Sequence, residues 1–422
     1  MNGAEWLARA LAGAGTTHVF FVESVLRRTL LQLKDLGVTP ILAHSEKAAA
    51  YMADGYARIT GRPGVCMAQA VGAANLASGL QDPFLGRAPV LALTGRKPPS
   101  FQHRNAYQEI PHAPLFAAVT KFSTTVDVTA ELPRLLRHAW RAALAETPRP
   151  THLDFSGHQG DEIELGQTAE PPLIDPEERR IPAHRPAADT ADIERAAAAL
   201  TAPRRIAIVA GDGAAASQAG PEVLALAEAL QAPVATTLGA RGLIPTRHRL
   251  SVGVAGSYSA PPANRIVHGA DLVLFIGCDT GDQVTLNWTV PPPHTNIVQI
   301  DADPLEIARS YPNTTGVVGD PKATLACLNE VIGSPTRDSG FAEEAARIVA
   351  DWRTTITPLC ENDTAPIRVE RLCAEITRGL PSDAVLVADT GYSGIWTGTY
   401  AGGNWSGWTS LGGSSFPINA LS

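Results

Sequence analysis

The sequence predicts an α/β protein made of successive doubly wound parallel-sheet domains, the third of them incomplete. Three observations lead there. Short apolar runs of strand length alternate with amphipathic helical stretches, and such alternation produces parallel sheets covered by helices on both faces. Glycine is frequent (37 residues) while aromatics reach only 6%, a composition that suits closely packed layers. Apolar residues make up 45% of 422 and charged residues 18%, which provides for a sizeable core and roughly two or three domains.

The first domain is expected over residues 1–170. Glu5 to Ala14 reads as a helix with Trp6, Leu7, Ala10 and Leu11 on one face, and His18 to Val22 as a short strand. Val25 to Leu36 follows as a helix. The stretch from Ile41 to Ala77 reads as strand end, helix, turn, strand, Gly/Ala turn and helix. A strand at Val90 to Thr94, a loop from Gly95 to Pro111, an extended piece at Val119 to Val126, a helix at Glu131 to Leu144 and a strand at Thr151 to Phe155 complete the domain.

Residues 160–187 form a linker, acidic and then rich in proline. A second domain is expected over 186–335, with strands at Ile206 to Ala210, Pro233 to Thr237, Leu272 to Gly277 and Thr295 to Asp301. Its helices are Glu222 to Leu230 and Pro321 to Ile332. The third unit, 360–422, offers a helix at Pro366 to Gly379, one strand at Ala384 to Ala388 and a Gly/Ser/Trp-rich stretch, too little for a core of its own.

A net charge of −8 and the lack of a basic stripe argue against nucleic acid as a partner. No apolar run is long enough to cross a membrane. The five cysteines (Cys66, Cys278, Cys327, Cys360 and Cys373) have neither metal nor redox spacing and sit in apolar patterns. Buried free thiols in a reducing, cytoplasmic compartment are therefore expected.

Glu46 stands out because it opens a helix of small residues one position after Ser45, a suitable N-cap. If enclosed there, its carboxylate would take up protons more readily and could exchange one near neutral pH. The alternative is that Glu46 only complements the helix dipole. Gln69 to Asn75 forms a Gly/Ala turn between strand and helix, where a flat ligand can approach the backbone. Ala106 to Glu109 is a loop carrying amide and aromatic groups. Both segments follow strand C-termini, where doubly wound sheets bind ligands. Asn75 could instead cap its helix, and Gln108 bond loop backbone. Gly211-Asp212-Gly213 reads as a tight strand-to-helix turn in preference to a phosphate cradle. A magnesium motif of that form needs a following Asn, and none occurs between Gly213 and Asn264. No metal ligand is therefore assigned within the chain. Asp301 and Asp303 could hold a ribose or simply bond turn backbone.

Taken jointly these residues resemble the thiamine diphosphate-dependent enzymes of the acetolactate synthase-like family. SEKAAAYMADGYARITGRPGV is similar to the family's H-E-x-x-A-x-x-A-x-G-Y-A-R-x-T-G-x-P-G-V stretch. AYQEIPHAPLFAAVTKFS resembles its F-Q-E loop and T-K segment, IVQIDADPLEIARSYPNTTGVVGD the end of its central domain, and VLVADTGYSGIW the opening of its diphosphate-binding domain. The resemblance implies that 1–170 is a pyrimidine-binding domain, 186–335 a central domain and 360–422 the opening of a diphosphate-binding domain. It makes Glu46 the catalytic partner of the aminopyrimidine N1′ of thiamine diphosphate. Gly72 and Asn75 would line the pyrimidine pocket, and Gln108 would face a 2-keto acid substrate. Carboligation after decarboxylation is the first expectation for the reaction and simple decarboxylation the second. FAD or ADP occupies the central domain in some relatives, but no residue here decides for either.

Departures accompany the likeness. Phe20-Phe21-Val22-Glu23-Ser24 replaces F-G-x-P-G, and Ala70 to Asn75 replaces G-P-G-A-T-N. The family's Gly-Asp-Gly and Asn that hold Mg²⁺ and the diphosphate lie beyond the region of likeness. The expectation is one subunit of a split enzyme, part of a homo- or hetero-oligomer. A separate chain would supply the rest of the diphosphate domain and the Mg²⁺ ligands. A non-catalytic relative that binds a nucleotide or a family enzyme is the alternative.

Overall fold

Six parallel strands form the first sheet: β1 (His18–Phe21), β2 (Thr39–Leu42), β3 (Gly64–Gln69), β4 (Val90–Arg96), β5 (Phe122–Val126) and β6 (Thr151–Ser156), in the spatial order β2-β1-β3-β4-β6-β5. The computed structural model describes residues 1–422 apart from 24, 173, 180, 203–204, 334–339, 382–383, 402–406 and 411–422. Its two units are Met1–His184 and Arg185–Ser410.

The pleat of the first sheet sorts its side chains by size. Val19, Val65, Met67, Leu91, Leu93, Leu153 and Phe155 enter the core that holds Trp6, Leu7, Leu11 and Trp140. The alternate positions Phe20, Cys66, Ala68, Val90 and Ala92 face the opposite layer, built from Ala49, Ala50, Ala53, Leu76 and Phe116. Small residues let two helices of this layer, Glu46–Thr60 and Gly72–Gly79, come close together. A Cβ on Gly79 would lie 2.8 Å from both Ala50 Cβ and Lys47 O, and one on Gly64 only 2.0 Å from Ala53 O. The close approach expected of an alanine-rich helix is thus present.

The strand order reverses twice. From β1 the chain moves outward to β2 and returns to β3 on the other side, which opens a crevice over the C-terminal end of β1. A second reversal lies between β4 and β6, because β5 occupies the edge beyond β6.

Several elements of this unit differ from the sequence reading: the first helix is Gly3–Gly13, and the expected linker holds the helix Asp161–Leu165, whose Ile163 enters the first core. The second helix is Arg27–Asp35, since Leu26 is left-handed at φ 43° and stops it from starting at Val25. Extended structure begins at Phe122 instead of Val119. The helix His112–Ala117 runs on through a turn in which Thr120 Oγ1 donates to Phe116 O at 2.7 Å.

In the second unit β7 (Ile206–Ala210), β8 (Val234–Thr236), β9 (Ser251–Val254), β10 (Leu272–Ile276), β11 (Asn296–Asp301) and β12 (Thr314–Val318) are again all parallel, in the order β12-β11-β10-β7-β8-β9. Helices Thr190–Thr201, Gly220–Leu230 and Pro321–Ile332 cover one face. Pro261–His268 and Phe341–Cys360 cover the other through Ala263, Ile266, Val267, Phe341, Ala345 and Val349. The helix Val369–Gly379 starts later than its proline suggests, after an extended Arg368. Next, β13 (Val385–Ala388) pairs in parallel with β14 (Gly407–Ser410) across the helix Tyr392–Tyr400. Val385 and Val387 are exposed on β13. All five cysteines are free, with Cys66, Cys278 and Cys373 buried. Among the described residues no helix is long and apolar enough to cross a membrane.

Candidate active site

Glu46 begins the helix Glu46–Thr60, just after β2. Ser45 is extended (φ −154°, ψ 159°) and caps that helix, with Ala48 N donating to Ser45 Oγ at 3.2 Å. Glu46 is half-buried, not enclosed as the sequence reading entertained. Its side chain meets the turn after β3. Asn75 Nδ2 donates to Glu46 Oε2 at 3.1 Å, and a Cβ on Gly72 would reach within 2.5 Å of Oε1. Asn75 therefore serves Glu46 and does not cap its helix. The turn is pinned at Ala70, which adopts φ +29° and donates its N–H to Gly95 O at 2.8 Å. Since β2 and β3 flank β1, Glu46, Gly72 and Asn75 meet at the first reversal of strand order.

Gln108 lies on the loop after β4 at φ +61°. Its Oε1 accepts from Gln69 Nε2 at 3.1 Å, and Gln69 is the last residue of β3. The bond is to a side chain, so the loop-backbone role considered from the sequence is not the one recorded. The four predicted residues thus attach to one turn, Glu46 and Asn75 on one side and Gln108 on the other.

Behind this turn runs a buried polar chain that the sequence reading missed. His112 Nε2 lies 2.9 Å from Ala70 O and Nδ1 2.9 Å from Asp154 Oδ1. Thr94 Oγ1 donates to Asp154 Oδ1 at 2.7 Å and lies 2.7 Å from His152 Nε2, while Ser123 Oγ lies 2.9 Å from His152 Nδ1. Arg96 pairs with Asp127 and approaches Asp154 Oδ2 with its Nε at 3.6 Å. Burial pushes the His152 ring down to about 3, against the pull of Asp154 and with the push of His112, so the ring stays neutral. The available signal was polar residues interrupting strands covered on both faces. Thr94 follows Leu93, and His152 and Asp154 alternate with Leu153 and Phe155. Buried polar groups in such strands require partners.

In the second unit the glycines of Gly211-Asp212-Gly213 serve packing. A Cβ on Gly211 would lie 2.3 Å from Gly277 O, and Gly213 N already donates to that oxygen at 2.9 Å. Ala214 N and Ala215 N donate to Gly211 O, so three N–H groups that a phosphate cradle would use are taken. The turn does not fit a bound pyrophosphate. Asp301 Oδ1 accepts from Asp303 N at 2.9 Å, and Asp303 Oδ1 from Leu305 N at 3.0 Å, which is the turn-backbone role. Among the described residues no three His, Cys, Asp or Glu side chains gather as a metal site. Trp405 and Phe416, in the Gly/Ser/Trp-rich stretch of the third unit, lie outside the described residues.

Comparison with known proteins gives the family. The thiamine pyrophosphate enzyme N-terminal TPP binding domain matches residues 1–115, and the thiamine pyrophosphate enzyme central domain matches residues 193–328. A probable acetolactate synthase large subunit from Methanocaldococcus jannaschii is 30% identical over 408 residues, covering 94% of this chain and 68% of that relative. The chain belongs to the thiamine diphosphate-dependent enzymes of the acetolactate synthase-like family. Within it, the acetolactate synthase isozyme 2 large subunit of Escherichia coli is 28% identical over 400 residues (94% of this chain, 70% of the relative). A probable 2-ketoarginine decarboxylase from Pseudomonas aeruginosa is 29% identical over 416 residues (95% and 69%). Both sheets are of the doubly wound type expected of family domains.

Proposed function

We propose that this chain carries the pyrimidine-activating half of an acetolactate synthase-like carboligase acting on a 2-keto acid. The observation that carries the reading is the contact of Glu46 with Gly72 and Asn75 at the first strand reversal. A half-buried carboxylate held by Asn75, with no Cβ on the facing Gly72, fits a flat protonatable ring. Glu46 would hold and exchange the proton at ring nitrogen N1′. Asn75 would fix the carboxylate's orientation, and Gly72 would let the ring approach. Bound there, thiamine diphosphate supplies the carbon nucleophile and electron sink that 2-keto acid decarboxylation needs. Gln108, held by Gln69, would present its amide to the substrate.

Mg²⁺ and the diphosphate would be held outside the described residues. We assign that role to a separate chain completing the sheet begun by β13, where Val385 and Val387 await cover. Free thiols at all five cysteines support a cytoplasmic setting.

The test is calorimetry of thiamine diphosphate with Mg²⁺ against this chain, alone and after reconstitution with a chain carrying the remaining diphosphate domain, followed by assay of 2-keto acid consumption. Binding and turnover only in the reconstituted complex are expected. Tight Mg²⁺-dependent binding by this chain alone would overturn the partner assignment, and turnover unaffected by Glu46→Gln would overturn the catalytic one. The relative named as a 2-ketoarginine decarboxylase supports a second reading, in which a proton replaces the acceptor substrate. Product analysis separates the two.

A further inference from the structure

We propose that His112 is a positioning residue that, as a doubly protonated ring, clamps the Ala70 carbonyl to the Asp154 carboxylate and so fixes the turn that meets Glu46. The proton count follows from hydrogen-bond direction. Ala70 O is a carbonyl and can only accept, so His112 Nε2, 2.9 Å away, carries a proton. Asp154 Oδ1 receives the Thr94 hydroxyl proton at 2.7 Å and faces His112 Nδ1 at 2.9 Å. A proton therefore lies between that nitrogen and that oxygen, and the remaining question is which atom holds it. The Arg96 guanidinium, 3.6 Å from Asp154 Oδ2, stabilises the ionised carboxylate and leaves the proton on the ring.

The rest of the chain agrees with this assignment. Thr94 gives its own proton to Asp154 and so accepts from His152 Nε2, which leaves His152 Nδ1 to accept from Ser123. His152 is then the singly protonated neighbour and His112 the charged one. The titratable and charged groups recorded around the pair are Asp154, His152, Arg96 and, through Arg96, Asp127. His112 is 4% exposed and Asp154 3%, so little water competes for these bonds. Phe116 packs edge-on against the His112 ring and stacks on His152 at 3.5 Å, which fixes both planes.

The clamp acts at a sensitive point. Ala70 holds φ +29°, a conformation that a residue with a Cβ adopts only when its surroundings enforce it. Two positions on, Gly72 already touches Glu46, so a shift of the turn displaces the carboxylate. The consequence for catalysis rests on the reading of Glu46 given above; the protonation state of His112 does not.

The experiment is nitrogen-detected NMR of the full chain labelled with ¹⁵N-histidine at neutral pH, with the His112 signals assigned by their loss in His112→Gln. Two protonated ring nitrogens on His112 beside one on His152 are expected. A bare Nδ1 on His112 would overturn the proposal, whatever the enzyme turns out to catalyse. Hydrogen exchange then tests the clamp: His112→Gln and His112→Phe should exchange the Ala70 amide about tenfold faster or more, as loss of a charge-assisted bond implies. Unchanged protection in both variants would overturn the positioning role. In the reconstituted enzyme, kcat should fall in both variants with KM for the keto acid nearly unchanged, and a rise in KM alone would count against it.

Discussion

A Cβ placed on Gly72 would stand 2.5 Å from Glu46 Oε1, 3.0 Å from its Cδ and 3.1 Å from its Cγ. The turn after β3 and the first side chain of the helix Glu46–Thr60 therefore share one space. The Glu46 side chain is half-buried and can swing aside. Gly72→Ala is expected to fold with a stability change within about 1 kcal/mol. It should still lower turnover of the reconstituted enzyme tenfold or more, because the displaced carboxylate loses its aim. Thermal unfolding and steady-state rates of the same preparation check both halves.

Glu46→Gln keeps the shape and removes the proton acceptor. Ser45 still caps the helix, so the stability loss is confined to the helix-dipole contribution, about 0.3–1 kcal/mol. The rate should fall by about 10² or more, the usual worth of a positioned acid–base group. A parallel loss of stability and rate would instead indicate a structural role for this carboxylate.

How far the sequence revealed the molecule depended on how local each signal is. Ile206–Ala210 and Pro321–Ile332 match the reading residue for residue, because an uninterrupted apolar run and an Asp-Pro helix start are local features. Thr314–Val318 escaped because threonines and a glycine dilute an edge strand, and Phe341–Cys360 because Ala342 and Ala345 form much of its inner face. Glu46 stood out as an acid at a helix start, and Gly72, Asn75 and Gln108 in segments that follow strand ends, with the motif likeness giving each a role. The bonds Asn75–Glu46 and Gln69–Gln108, which join elements 29 and 39 residues apart, did not. His112 and Asp154, 42 positions apart, meet only through the strand order, which places β6 next to β4.

The buried His152 makes the first unit sensitive to acid. Its folded value is held near 3 by burial, below the ordinary histidine value of 6.5. Between those values the unfolded chain binds the extra proton and the folded chain does not. Stability is therefore lost as pH falls from 6.5 toward 3, at up to about 1.4 kcal/mol per unit from this group. His152→Gln should lower stability at neutral pH by breaking its bonds to Thr94 and Ser123, yet flatten the slope over this window. Urea unfolding at several pH values, compared with the parent chain, measures that slope, and parallel profiles would rule His152 out as its source.

In the second unit, glycine packing gives a sharp contrast between two substitutions. Gly277 has φ +53°, and a Cβ there would fall 2.3 Å from Ala214 N and 2.6 Å from Gly213 C, all backbone that cannot swing away. Gly277→Ala is expected to cost more than about 2 kcal/mol, combining overpacking with a left-handed alanine. Gly379 ends the helix Val369–Gly379 with nothing within 4 Å of its Cβ position. Gly379→Ala should leave stability unchanged or raise it by up to about 1 kcal/mol, since alanine restricts the unfolded chain. The difference arises from β7 and β10 being neighbours at the reversal of the sheet, where the turns that follow them must share one narrow space. Denaturant midpoints that move equally in the two variants would show that this contact does not hold the turns together.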